Sequence, residues 1–139
     1  MQDYKFTIPY CVRVADVNYG GHVANSAVLN FFQDARIAYL QQLGGYSEMD
    51  IGGGCGIILP EAHVKYLAEM FLGDQLTIGV KIVELGRSSF RMAYRVERAA
   101  GQATAAGETT LVCFDYAARK PRRLAEEFVR KVQAWEGRQ

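Results

Sequence analysis

The sequence lacks a charge excess, an apolar run of membrane length, and any cluster of histidines or cysteines. Sixteen lysines and arginines against fifteen aspartates and glutamates leave a formal charge of +1. That argues against the overall basic character of most nucleic-acid binders. No apolar stretch approaches the ~20 residues that a membrane-spanning helix needs. The first ten residues, MQDYKFTIPY, hold no apolar core of the kind a secretory signal carries. Cys11, Cys55 and Cys113 are odd in number and widely spaced. They suit a reducing, cytoplasmic setting and have no metal-ligand spacing. His22 and His63 are too few for a histidine-rich centre. Neither a metal nor another cofactor is expected.

What is present is globular. Half of the 139 residues are apolar and 22% are charged, which excludes disorder. The length predicts one domain over residues 1–139, large enough for a real core.

Residues 5–14 place Phe6, Ile8, Tyr10, Val12 and Val14 at period two, which predicts a strand. Residues 16–24 hold adjacent glycines and no period, so they read as a loop. From Asn25 to about Leu43, Val28, Leu29, Phe32, Ala35, Tyr39 and Leu43 recur at helical steps. Asn25 or Ser26 is expected to cap this helix, and Gly44 and Gly45 to end it. Its other face carries Asn30, Gln33, Asp34 and Gln41 but also Ile37, so the helix is expected to be wrapped on several sides.

Four extended segments follow without another helix. Residues 56–66 contain Pro60, a sign of a bulge or an edge. Residues 75–83 alternate Leu76, Ile78, Val80 and Ile82 inward, and residues 89–98 do the same with Phe90, Met92, Tyr94 and Val96. Residues 104–116 are mixed on both faces. A short helix over 124–135 presents Leu124, Phe128, Val132 and Trp135 as one stripe. Clean alternation predicts an antiparallel sheet with one polar face. The α+β solution is a curved five-stranded antiparallel sheet wrapped around the long helix, with a short C-terminal helix.

That order, with Asp16-Val17-Asn18-Tyr19-Gly20-Gly21-His22-Val23-Ala24-Asn25 and Phe31-Phe32-Gln33-Asp34-Ala35-Arg36, resembles the hotdog-fold acyl-thioesterases of the 4-hydroxybenzoyl-CoA thioesterase type. The resemblance extends to Phe114-Asp115-Tyr116 and Arg119-Lys120-Pro121. It implies hydrolysis of an acyl thioester of coenzyme A or of acyl-carrier protein, in a homodimer or homotetramer whose clefts take residues from two chains. The sequence departs from the family twice. Asn18 stands where most members have the catalytic carboxylate, and Gln33 where the helix glutamate is common. An amide has no accessible basic form, so it cannot act as a general base.

The catalytic candidates are therefore Asn18, Asp16, His22 and Asp34. Asn18 can orient a water, bind a thioester carbonyl through its NH2, or simply shape a turn. Asp16 can serve as a displaced base or bond the loop. His22 can relay a proton or hold the loop, and Asp34 lies about two turns into the helix. Tyr19, Gly20, Gly21, Asn25 and Ser26 are the candidate substrate contacts around the helix N-terminus, whose free amides and dipole can polarise a carbonyl. Arg87, Ser88, Ser89, Lys120 and Arg122 are candidates for the coenzyme A phosphates. Cys55 reads as a packed residue. Two other readings compete: a binding protein that kept the pocket without the base, and a dehydratase, which would need a catalytic histidine paired with an acid on the helix.

Overall fold

The computed structural model describes residues 1–137; residues 138–139, the end of the expected domain, lie outside the described residues. Strand β1 is Phe6–Cys11, followed by a 3-10 turn at Val14–Asp16. Helix α1 is Asn25–Gly44, and β2, β3, β4 and β5 are Gly56–Tyr66, Gln75–Leu85, Ser89–Arg98 and Ala103–Asp115. A two-residue β6, Lys120–Pro121, precedes α2, Glu126–Glu136.

The strands form one antiparallel sheet in the order β1-β3-β4-β5-β2, with β6 pairing β5 as a sixth strand. The inward sets read from period two are all buried: Leu76, Ile78, Val80 and Ile82 on β3, and Phe90, Met92, Tyr94 and Val96 on β4. Helix α1 lies on that face. Phe32 stacks on Tyr94 with ring centroids 4.4 Å apart, and Phe31 packs on Tyr10 at 4.6 Å. Gly107 of β5 faces the helix too, because a side chain there would collide with the Phe32 ring and the His63 carbonyl. Helix α2 closes one end of the core, where Phe128 packs between Phe90 and Tyr46. Phe128 is fully buried, so Phe128→Ala is expected to cost about 3–5 kcal/mol, readable as a lower midpoint in urea.

Two local expectations change. β1 stops at Cys11, because the chain turns into the 3-10 segment and leaves Val14 exposed. The helix is capped by neither Asn25 nor Ser26: Ala24 is the N-cap and no side chain caps the helix. The Ala24 amide donates to the Asp16 carbonyl at 2.8 Å, which fixes the entry one residue early. At the other end Gly45 adopts φ 70° and its amide bonds the Gln41 carbonyl, as a left-handed helix stop requires. Pro60 marks both a bulge and an edge: the β2–β5 register shifts between Ile58 and Glu61, and β2 is the last strand of the sheet.

Candidate active site

The loop before α1 is a small hairpin. Val17 and Val23 pair across it, the Asn18 amide donates to the His22 carbonyl at 3.0 Å, and the Gly21 amide donates to the Asn18 carbonyl at 3.0 Å. Asn18 Oδ1 accepts the Gly20 amide at 2.9 Å, the side-chain turn that asparagine favours. Gly21 has φ +82°, where any other residue is strained. Among the described residues the Asn18 NH2 has no hydrogen-bond partner.

Asp16 is engaged below this hairpin. Its Oδ2 accepts the Tyr10 hydroxyl at 2.6 Å and the Arg13 amide at 2.9 Å. Burial, and then the Asp16 carboxylate, push the Tyr10 hydroxyl up to about 12, so it remains a donor to Asp16 at neutral pH. Asp34 is exposed on α1, about 13 Å along the axis from Asn25. Its charge reaches Tyr10 but it makes no hydrogen bond to the hairpin.

His22 is half-buried, with Nδ1 3.1 Å from the Val23 carbonyl and Nε2 3.8 Å from the Glu69 carboxylate. Glu69 is 47 positions away in sequence, and no local pattern marks it. Tertiary pairing brings it in: His22 bridges Phe71, the Val23 amide donates to the Met70 carbonyl at 2.7 Å, and Arg98 holds the Glu69 carbonyl. His22, Asn25, Tyr66 and Glu69 line a cavity of about 280 Å³ at the helix N-terminus. The Ala27 amide bonds the Ala24 carbonyl at 3.0 Å, which leaves the Asn25 and Ser26 amides as the open donors of the first turn. Both residues are exposed, as are Tyr19, Gly20 and Gly21.

A second cavity, about 340 Å³, lies farther along α1 against β2 and β5. Its floor holds an ion pair that sequence reasoning missed. Arg36, 5% exposed, donates from Nε to Glu48 at 2.5 Å and from Nη1 to the Tyr94 hydroxyl at 3.0 Å. Burial opposes the guanidinium charge, but the Tyr94 and Glu48 oxygens outweigh it and leave the pKa raised. Tyr94 is 2.6 Å from Thr109 Oγ1, and Gln33 donates to the other Glu48 oxygen at 3.2 Å. The sequence signal was an arginine on the buried stripe, one residue beyond Ala35.

The candidate phosphate ligands do sit together. The Arg87 carbonyl accepts the Leu124 amide, the Ser88 carbonyl accepts the Cys113 amide, and the Arg122 amide donates to the Cys113 carbonyl. This gathers Arg87, Ser88, Ser89, Lys120 and Arg122 at one end of the sheet. Arg122 is paired there with Asp115 at 3.1 Å. The hairpin loop is at the opposite end, because Gln75 pairs with Cys11 while Leu85 leads into Gly86. Eleven strand residues separate the two ends by roughly 30 Å. Within this chain, hairpin and cations do not meet. Cys55 is buried beside Cys113, as expected of a packed residue, and burial together with that neighbour pushes the Cys113 thiol up to about 11.

Known proteins share this fold. A thioesterase from Thermus thermophilus, solved in complex with coenzyme A and zinc, is 31% identical and superposes with a TM-score of 0.88 over 100% of this chain and 99% of its own. A 1,4-dihydroxy-2-naphthoyl-CoA hydrolase from Synechococcus elongatus is 28% identical over 97% of this chain and 96% of its own length. A 1,4-dihydroxy-2-naphthoyl-CoA thioesterase from Synechocystis, 24% identical, shares the fold with a TM-score of 0.83 over 91% of this chain and 94% of its own. Residues 12–132, from the end of β1 through most of α2, match the thioesterase-like superfamily. The hotdog architecture and that match together place this chain in the thioesterase-like superfamily.

Proposed function

We propose that this protein hydrolyses acyl thioesters of coenzyme A. The observation that carries the reading is the uncapped first turn of α1, where Asn25 lines a cavity beside His22 and the Asn25 and Ser26 amides are open donors. Such donors polarise the thioester carbonyl and hold the oxyanion that forms when water attacks. One well-placed donor is worth about 3 kcal/mol of transition-state stabilisation.

The base in this reading is His22. With Nδ1–H donated to the Val23 carbonyl, Nε2 carries the lone pair that takes the water proton. Glu69, 3.8 Å away, then stabilises the imidazolium. Asn18 orients the water or the carbonyl through its NH2. Asp16 is a positioning residue, since its Oδ2 is already shared by Tyr10 and Arg13. Asp34 has no such place. The C–S bond breaks as the tetrahedral adduct collapses to the acid with its new C–O bond, and the His22 imidazolium returns its proton to the sulfur, so coenzyme A leaves as the thiol.

The phosphates need a second copy of the chain. β2 has a free edge, and Leu59, Tyr66 and Leu67 are exposed along and just after it. Pairing two β2 edges antiparallel about a two-fold axis reverses one sheet relative to the other. The hairpin of one protomer then approaches the Arg87–Lys120 end of its partner, which makes each cleft a shared one. A homodimer or a dimer of dimers is the expected assembly, and light scattering at micromolar concentration checks it. A monomer would separate the hairpin from its cations and overturn the shared cleft.

A second reading, an acyl-thioester binding protein without hydrolysis, is favoured by the lack of a free carboxylate within the hairpin itself. Steady-state hydrolysis of short-, medium- and long-chain and aryl acyl-CoAs separates the two. Turnover on one class supports the enzyme. Tight binding with no turnover supports the binding protein.

A further inference from the structure

Glu69 is the charged partner of His22, yet its side chain is 65% exposed, and an exposed glutamate needs a reason to stay at one partner. We infer that Arg98 and Asp74 form a charge-balanced clamp that positions Glu69 on His22, with Asp74 keeping the Arg98 guanidinium from taking the Glu69 carboxylate for itself. The inference rests on the thioesterase reading with His22 as base and adds two positioning residues to it.

The main chain sets where the side chain starts. Residues 67–74 join β2 to β3. The Ala68 amide donates to the Thr104 carbonyl at 3.2 Å, and the Met70 carbonyl accepts the Val23 amide at 2.7 Å. Between them, Arg98 Nη2 donates to the Glu69 carbonyl. Consecutive residues pinned in this way reduce the entropy that Glu69 has left to lose on settling at one partner. Arg98 is itself held at the end of β4, where Nη1 donates to Gln102 at 3.0 Å.

Charge decides where that side chain goes. An arginine is always ionised, whereas a histidine carries charge only when protonated. With equal access, the Glu69 carboxylate would pair with the guanidinium that already holds its own carbonyl. Asp74 Oδ2 stands 3.6 Å from Arg98 Nη2 and supplies that negative charge instead. Glu69 is left with His22, 3.8 Å away, as its one ion-pair partner among the described residues. The same Asp74 oxygen accepts the Phe71 amide at 2.9 Å, so one carboxylate both closes the loop and balances the clamp. An asparagine at position 74 keeps the first task and loses the second.

The test is a double-mutant cycle on one accepted acyl-CoA. Asp74→Asn and Arg98→Gln are each made alone and together with Glu69→Gln, and every protein is checked by thermal melting. Each single variant is expected to lower kcat by ~3-fold or more with KM within ~2-fold, the size of coupling inside one charge network. Arg98→Lys should keep more activity than Arg98→Gln, because it retains the charge. In the Glu69→Gln background, Asp74→Asn and Arg98→Gln should cost less than ~2-fold, since the group they act through is gone. Glu127→Gln, which breaks an exposed ion pair on α2, should change nothing. If Arg98→Gln does not fold, Asp74→Asn alone decides the outcome. Undiminished losses in the Glu69→Gln background, or wild-type kcat in Asp74→Asn, overturn the inference and leave the thioesterase reading standing. Absence of turnover by the unaltered chain on every acyl-CoA overturns that reading, and the clamp with it.

Discussion

Replacing His22 by glutamine is expected to lower kcat by ~10²–10⁴-fold on any accepted acyl-CoA, the range for loss of a general base. Glutamine keeps much of the volume and a donor for the Val23 carbonyl, so the hairpin should persist. KM should change far less, because the amides of Asn25 and Ser26 still hold the carbonyl. Glu69→Gln should cost less than His22→Gln, since it removes a stabilising charge and not the proton acceptor. Asn18→Asp is the companion measurement. An aspartate can still accept the Gly20 amide, so folding should survive, but the NH2 is lost. Activity is expected to fall. A clear rise in kcat/KM would mean that the usual family carboxylate has been restored and that His22 is not the base. Unchanged turnover in His22→Gln would leave the histidine a structural role in the hairpin.

The second large effect is on stability. Glu48→Ala removes the carboxylate that compensates the buried Arg36 charge. Breaking one side of such a pair typically costs about 3–5 kcal/mol, against total stabilities of about 5–15 kcal/mol. A fall of roughly 10–20 °C in Tm is expected for a domain of this size. The double substitution Arg36→Met with Glu48→Leu removes both charges together. It should recover much of the lost stability, because desolvation of the pair no longer has to be offset. If Glu48→Ala melts like wild type, the pair is solvated in solution and the buried floor does not exist. Scanning calorimetry on the three proteins decides it.

Much of the architecture could be read from periodicity. Alternating apolar residues on β3 and β4 allow only one face to be buried, and a long helix with Phe31, Phe32, Ala35 and Tyr39 on one side is the only element able to cover it. The hairpin was marked by Gly20 and Gly21, and its link to the helix by the change from no period to a period of 3.6. The cap was misread because Asn25 and Ser26 are good capping residues by type, whereas the Asp16 carbonyl decides where the chain enters the helix. That contact is between backbones and leaves no trace in side-chain identity.

The site divides in the same way. Sequence alone determined which residues stand next to one another on the hairpin and which lie one turn apart on α1, because local geometry follows from chain connectivity. It determined the absence of a carboxylate at position 18 and the presence of His22 beside the helix start. Only the tertiary structure decided that Glu69 stands by His22, that Glu48 meets Arg36, and that the Arg87–Lys120 cluster lies at the far end of the sheet from the hairpin. Each of these depends on strand order and on the direction in which β2 and β3 run. Strand pairing joins distant residues through backbone hydrogen bonds that any side chain can accompany, so the composition of a segment does not say which neighbour it will have.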